Sequence, residues 1–176
     1  QGKQGQRRPP NKPDFSGYNL SKAISVFLRH QAVNYGYSID EQGFVRILDL
    51  RAFLKGYTRF DVSQFTVERE VRINGKRRFV LRGDQIACWS GHSIAGVIGP
   101  GVIVPTEMVP EVLCHGTYQC HAESIGKEGI RAITRSVHLQ SPRDGYDWWR
   151  KDLEIVFDVA ARRASADGVV FRLTGN

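Results

Sequence analysis

Residues 77–93 read RRFVLRGDQIACWSGHS. Gly83-Asp84 is a turn pair in the middle of this stretch. Asn74-Gly75, just before it, is the strongest short hairpin signal in the chain, so Arg77–Trp89 reads as antiparallel strands. What precedes that hairpin decides the fold of the first half. Leu20, Ala23, Ile24, Phe27 and Leu28 follow the i, i+3, i+4, i+7, i+8 spacing of an amphipathic helix, with Asn19 as its N-cap. Arg29 and His30 fall in its last turns, where cations suit the helix dipole, and Gly36 breaks it. Asp40-Glu41-Gln42-Gly43 is a turn. A second helix is expected near Leu48–Leu54, ending before Gly56, and a third near Asp61–Val71 with Val62 and Phe65 inward. Three short helices followed by a β-hairpin describe a winged-helix lobe over 18–93, a relative of the helix-turn-helix often used on nucleic acids.

On either side the pattern changes. Residues 1–17 are rich in Gln, Gly, Pro, Lys and Arg and cannot bury apolar area, so they read as a flexible basic tail. With no initiator Met, the chain reads as a piece of something longer. Residues 94–111 are apolar and punctuated by Gly and Pro, a linker with one or two strands. Beyond it the expected elements are strands at Val112–His115, Arg135–Leu139, Asp152–Val159 and Val169–Leu173. A helix at Glu123–Glu128, stopped by Gly129, lies among them. These make a second small lobe over 112–176 and an α+β fold class for the whole.

Composition excludes several classes. Of 176 residues, 41% are apolar and 24% charged, which excludes wholesale disorder and fibrous architecture. The most apolar run, Ile94–Val104, is too short for a membrane helix and is broken by Gly96, Gly99, Pro100 and Gly101. No secretory signal opens the chain. Three cysteines, Cys88, Cys114 and Cys120, do not make a disulfide scaffold, so the expected compartment is reducing and intracellular, the cytoplasm.

The formal charge of +7 is unevenly placed. Residues 1–17 carry +3 and 18–83 carry +6, whereas 84–111 carry −3 and 112–176 only +1. A basic front lobe suits a polyanion, and the near-neutral second lobe suits another task.

Four local features could carry chemistry. Leu28-Arg29-His30 ends a helix, where a surface pair is the ordinary reading. Gly91-His92-Ser93 follows a hairpin strand, where backbone amides and a hydroxyl could meet phosphate or simply form a turn. Cys114-His115-Gly116-Thr117, with Cys120-His121 beyond, invites a zinc reading. However, neighbouring side chains on a strand point to opposite faces, and no C-x-x-C or H-x-x-x-H pair is present, so no metal is expected. In Arg135-Ser136-Val137-His138-Leu139, alternation sets Ser136 and His138 on one face. The chain has no G-x-S-x-G, no phosphate-binding Walker loop and no G-x-G-x-x-G, so serine hydrolase, P-loop and Rossmann chemistry lack support.

Taken in order, these features resemble the RNA 2′-phosphotransferases of the KptA type. The likeness runs from Leu20-Ser21-Lys22 and Leu28-Arg29-His30 through Gly43-Phe44-Val45 and Arg77-Arg78-Phe79-Val80-Leu81 to Ile86 and Gly91-His92-Ser93. It continues with Leu113-Cys114-His115-Gly116-Thr117, Gly129-Ile130, Val137-His138-Leu139 and Asp167-Gly168-Val169-Val170-Phe171. The resemblance implies a winged-helix lobe joined to an ADP-ribosyltransferase-like lobe. It also implies a reaction in which an internal RNA 2′-phosphate attacks the nicotinamide ribose of NAD and expels nicotinamide. The ribose 2″-hydroxyl then attacks that phosphate, leaving RNA with a 2′-OH and releasing ADP-ribose 1″,2″-cyclic phosphate. Cations must hold the phosphate dianion and the charge that develops on it. The resemblance assigns Arg29 and His30 to that catalytic work, with Arg135, one place late, as a substitute for a further arginine if the loop is one residue shorter, and His115, Gly116, Thr117 and His138 to NAD. It assigns Gly91, His92 and Ser93 to the substrate phosphate. The implied partners are 2′-phosphorylated, tRNA-like RNA and NAD, with no membrane. The implied state is a monomer or part of a larger polypeptide.

The departures are as specific as the matches. The family's I-R-A-x-Q-G-H-S reads here Ile86-Ala87-Cys88-Trp89-Ser90-Gly91-His92-Ser93, so alanine stands where the family has a catalytic Arg. The family's R-x-x-V-H-L arginine falls on Thr134, one place before Arg135. The chain stops at Gly175-Asn176, short of the family's final strand. Two other classes therefore stay open beside a phosphotransferase of reduced activity. One is an inactive RNA- or nucleotide-binding module of a larger protein, and the other an ADP-ribosyltransferase acting on another acceptor. Trp148-Trp149-Arg150 could stack a base or pack a core.

Overall fold

Helix α1 (Leu20–Val26) begins where Asn19 caps it, its Oδ1 accepting from the Lys22 amide at 2.8 Å. The apolar spacing does what it should: Ala23, Ile24, Phe27 and Leu28 are all fully buried. The computed structural model describes residues 17–132, 136–142 and 153–175. The tail expected over 1–16, and the expectations that fall on Thr134, Arg135 and Trp148-Trp149-Arg150, lie outside those residues. The described chain is mixed helix and strand and divides into two compact units. The first takes residues up to Gly101 together with the terminal stretch from Thr174, and the second spans Val102–Leu173. Residues 94–111, read as a linker, are thus shared between them.

In the first unit the regular helix ends at Val26 and widens into a π-turn over Phe27–Gln31, with the Ala32 amide donating to the Phe27 carbonyl. A 3₁₀ turn over Val33–Tyr35 follows, and Gly36 closes it at φ +79. Strand β1 (Val45–Arg46) leads into α2 (Ile47–Tyr57), and α3 (Gln64–Ile73) is capped by Ser63, whose Oγ accepts from the Thr66 amide. Strands β2 (Phe79–Arg82) and β3 (Gln85–Cys88) form the expected hairpin, with Gly83 at φ +59 in its two-residue loop. Strand β1 joins on the other side, giving an antiparallel sheet in the order β1-β3-β2. Helices and sheet enclose one core in which Phe27 stacks on Phe53 with ring centroids 4.3 Å apart, among Leu50, Leu54, Val67, Ile86 and Cys88.

Two expectations are corrected here. Phe65 is not inward but 68% exposed. The helix starts at Gln64 rather than Asp61, and that phase turns Val67 into the core. Asn74-Gly75 is not a hairpin loop. Asn74 ends α3, and its side-chain amide donates to Ser21 Oγ at 2.6 Å while its Oδ1 accepts from the Arg78 amide. A residue suited to turns has been used to stop a helix and tie it to α1.

The second unit contains two antiparallel pairs. Strand β4 (Val102–Ile103) pairs with β7 (Arg172–Leu173), and β5 (Val112–Thr117) pairs with β6 (Ile155–Ala160) in a register that sets His115 opposite Phe157. Helix α4 (Ala122–Glu128) ends at Gly129, φ +77, as expected. Helix α5 (Ala161–Ala166) follows β6 directly and was not expected. The expected strands at 135–139 and 169–173 are largely absent among the described residues. Ser136–Leu139 is irregular, Gln140 makes a single bridge to Cys114, and only Arg172–Leu173 pairs near the end. The His138 carbonyl, which would serve a ladder, is taken by an imidazole instead.

Candidate functional site

In the first unit, the π-turn and the loop after β3 meet. The Ser93 amide donates to the Arg29 carbonyl at 2.9 Å, and Ser93 Oγ lies 2.8 Å from His30 Nδ1. The Arg29 side chain lies against Gly91, whose φ is +83. A Cβ added at Gly91 would stand 3.1 Å from Arg29 Nε. That Nε is buried and has no hydrogen-bond partner among the described residues. A buried donor left unmatched costs about 1–3 kcal/mol.

The same charge reaches Cys88. Burial pushes its thiol up to about 11, against the opposing influence of Arg29 and Arg78. The thiol is therefore neutral and inert at physiological pH. Arg78 was read from sequence only as part of a strand motif. The β2–β3 pairing carries it here, with the Trp89 amide donating to its carbonyl. Its charge, like that of Arg29, acts on the Cys88 thiol. Ala87, where the family pattern has Arg, is fully buried opposite Val80.

His92 anchors the loop from beneath. It is 4% exposed, and its Nε2 donates to the Cys88 carbonyl at 2.9 Å, since a carbonyl can only accept. The ring occupies space left by Gly43, at φ +82, where a Cβ would stand 2.6 Å from His92 Cε1. Burial outweighs the backbone hydrogen bonds and holds the imidazole below its ordinary value. His30 is also held low, first by partial burial and then by the Arg29 charge.

Acid should therefore weaken this unit. The folded-state pKa of His92 lies below the unfolded value of about 6.5, so its stabilising effect is complete above that pH. Below it the unfolded chain binds a proton that the folded chain excludes, and stability falls by at most about 1.4 kcal/mol per pH unit. His30 adds to the slope with the same sign. Thermal melts of His92→Gln should show a flatter decline below about pH 6.5 than the parent. An identical slope would remove His92 as its source.

In the second unit, β5 carries His115, Gly116 and Thr117. His115 Nδ1 donates to the His138 carbonyl at 3.1 Å, which leaves Nε2 of the neutral ring as an acceptor. Thr117 is buried, and its carbonyl accepts from the Glu154 amide. The Cys114 thiol donates to Asp158 at 3.3 Å on the neighbouring strand, and burial together with that carboxylate raises its pKa. The structure thus brings Arg29, His30, Gly91, His92 and Ser93 together in one unit, and His115, Gly116, Thr117 and the His138 backbone together in the other. Arg135 lies outside the described residues.

The described residues thus make a mixed α+β chain, with an arginine–histidine–serine cluster in one unit and a histidine borne on a strand in the other. The family follows from comparison. A model described as RNA 2′-phosphotransferase, Tpt1 / KptA family, matches residues 16–176. A protein of Streptomyces coelicolor named “Probable RNA 2′-phosphotransferase” is 35% identical over 160 residues, 89% of this chain and 85% of the relative. One of the same name from Rhizobium rhizogenes is 32% identical over 161 residues, covering 89% and 84%. The human tRNA 2′-phosphotransferase 1 is 31% identical over 192 residues, covering 99% and 73%. The chain belongs to the RNA 2′-phosphotransferase family.

Proposed function

We propose that this protein is an NAD-dependent RNA 2′-phosphotransferase. It transfers an internal RNA 2′-phosphate to NAD and yields 2′-OH RNA, nicotinamide and ADP-ribose 1″,2″-cyclic phosphate. The single observation that carries the reading furthest is the gathering of a guanidinium, an imidazole and a hydroxyl at one place, with Ser93 Oγ 2.8 Å from the His30 ring and Arg29 laid against Gly91. Arg29 and His30 would grip the phosphate, with Arg135 as a further cation. Gly91 lets the guanidinium lie close to the loop backbone.

Three helices with the β1-β3-β2 sheet support a winged-helix reading of the first unit over 18–93. The paired β5 and β6, with α4 and α5, support an ADP-ribosyltransferase-like reading of the region 112–176. The donor and acceptor chemistry of β5 suits NAD as cosubstrate. His115 Nε2 is free to accept from a ribose hydroxyl while Nδ1 is held by the His138 carbonyl. When bound, NAD supplies the electrophilic ribose carbon and nicotinamide as leaving group. RNA, tRNA-like and 2′-phosphorylated, is the other partner. No helix among the described residues is long and apolar enough to cross a membrane.

The test is incubation with an internally 2′-phosphorylated RNA and NAD. Nicotinamide and ADP-ribose cyclic phosphate should appear together, one per phosphate removed. Nicotinamide without the cyclic product would instead indicate ADP-ribosylation of another acceptor. Neither product at stoichiometric protein would leave a binding module and sink the catalytic reading.

A further inference from the structure

Ser93 makes contacts that phosphate handling by a loop does not require. Its amide holds the Arg29 carbonyl at 2.9 Å, and its Oγ lies 2.8 Å from His30 Nδ1 and 3.5 Å from that same carbonyl. The hydroxyl therefore sits between one group that can only accept, the Arg29 carbonyl, and one that changes role with protonation, the imidazole nitrogen. Among the described residues, Ser93 Oγ is the hydrogen-bond partner of the His30 ring, and it sits on Nδ1.

We propose that Ser93 is a positioning residue for His30, holding Nδ1 so that the ring presents an N–H at Nε2 in either protonation state. In the neutral ring, Ser93 Oγ–H donates to Nδ1 at 2.8 Å rather than to the Arg29 carbonyl, which at 3.5 Å lies beyond the ordinary O–H···O range, and the ring proton resides on Nε2. In the imidazolium, the added proton sits on Nδ1 and is donated to Oγ, while the hydroxyl hydrogen turns toward the Arg29 carbonyl. Only a hydroxyl can exchange those roles without moving a heavy atom. The ring nitrogen offered to an anionic substrate is therefore always a donor. The low pKa of His30, set by burial and Arg29, makes the neutral case the resting one, and that is the case that needs Ser93 to fix the tautomer. The backbone half of the clasp survives when the side chain is changed, because the Ser93 amide rather than Oγ holds the π-turn.

The proposal rests on the reading of His30 as a phosphate-gripping group, but its first measurement does not. Nitrogen–proton correlation spectra of the full chain without substrate, assigned with His30→Gln, read the tautomer of the neutral ring directly. The Nε2–H form should dominate in the parent, give way to mixed tautomers in Ser93→Ala, and return in Ser93→Thr. With 2′-phosphorylated RNA and NAD, Ser93→Ala should lower kcat about tenfold with KM changed less than about twofold, and Ser93→Thr should restore it. An Nδ1–H tautomer in the parent overturns the proposal whatever the variants do. So does a tautomer unmoved by alanine, or a rise in KM with kcat unchanged. A tautomer shift as expected in a chain with no turnover under any condition would uphold the positioning and instead refute the phosphotransferase reading.

Discussion

Replacing Arg29 with alanine is expected to lower phosphotransfer by about a hundred- to a thousandfold, the usual cost of removing a preorganised charged donor from a developing anion. Arg29 brings the guanidinium to the cluster it forms with His30 and Ser93, its Nε buried against the Gly91 loop. Gly91 has no side chain to keep the guanidinium off the loop, and Ser93 clasps the carbonyl of the same residue, so the group is fixed from both ends. Arg29→Lys should recover little, since an ammonium is a point charge and cannot reproduce the planar fork. Single-turnover nicotinamide release separates this from a fault in folding, provided melts of both variants stay near the parent. RNA binding should change far less than turnover, because the excess charge of residues 18–83 is spread over many cations. Turnover of Arg29→Ala within about threefold of the parent would remove Arg29 from the chemistry.

Gly43→Ala is expected to destabilise the first unit by about 2–4 kcal/mol, or roughly 4–16 °C in Tm. Two effects combine. The residue sits at φ +82, where any Cβ is strained, and the added carbon would stand 2.6 Å from Cε1 of His92. The ring cannot simply retreat, since it is buried and held by the Cys88 carbonyl. Gly36→Ala provides the control. Its φ is +79, nearly the same, yet a Cβ there meets nothing within 4 Å, so only the backbone term of about 1–2 kcal/mol applies. The difference between the two melts isolates the cradle around His92. Equal losses would mean that the loop gives way easily, and activity would then survive in Gly43→Ala.

Much of this was legible beforehand, and the reasons are local. The run from Leu20 to Leu28 announced its helix through a 3.6-residue period and a capping Asn19, both short-range effects that need no tertiary partner. Gly83-Asp84 likewise predicted its hairpin, because the loop needs a left-handed first residue. Failures came where a local signal had more than one use. Asn74-Gly75 fits a hairpin loop or a helix end, and the partner that chooses between them is Ser21, 53 residues away. The alternation in 135–139 suggested a strand, but the His138 carbonyl went to the His115 side chain. Helix α5 escaped notice because a short segment with two adjacent arginines has no clear apolar stripe.

The sequence by itself determined the family, the α+β class and the residues around which the chemistry would be sought. Ordered short motifs and hydrophobic periods survive without coordinates. Tertiary structure decided how those residues are arranged. It alone placed Ser93 on His30, laid Arg29 over Gly91 with a donor unmatched, and brought Arg78 to the neighbourhood of Cys88. It also showed that Gly43 is a glycine for the sake of His92, some fifty residues further on. The physical reason is range: periodicity and capping act within a turn or two of chain, whereas a hydrogen bond or a close approach between distant segments exists only once the core has set their register.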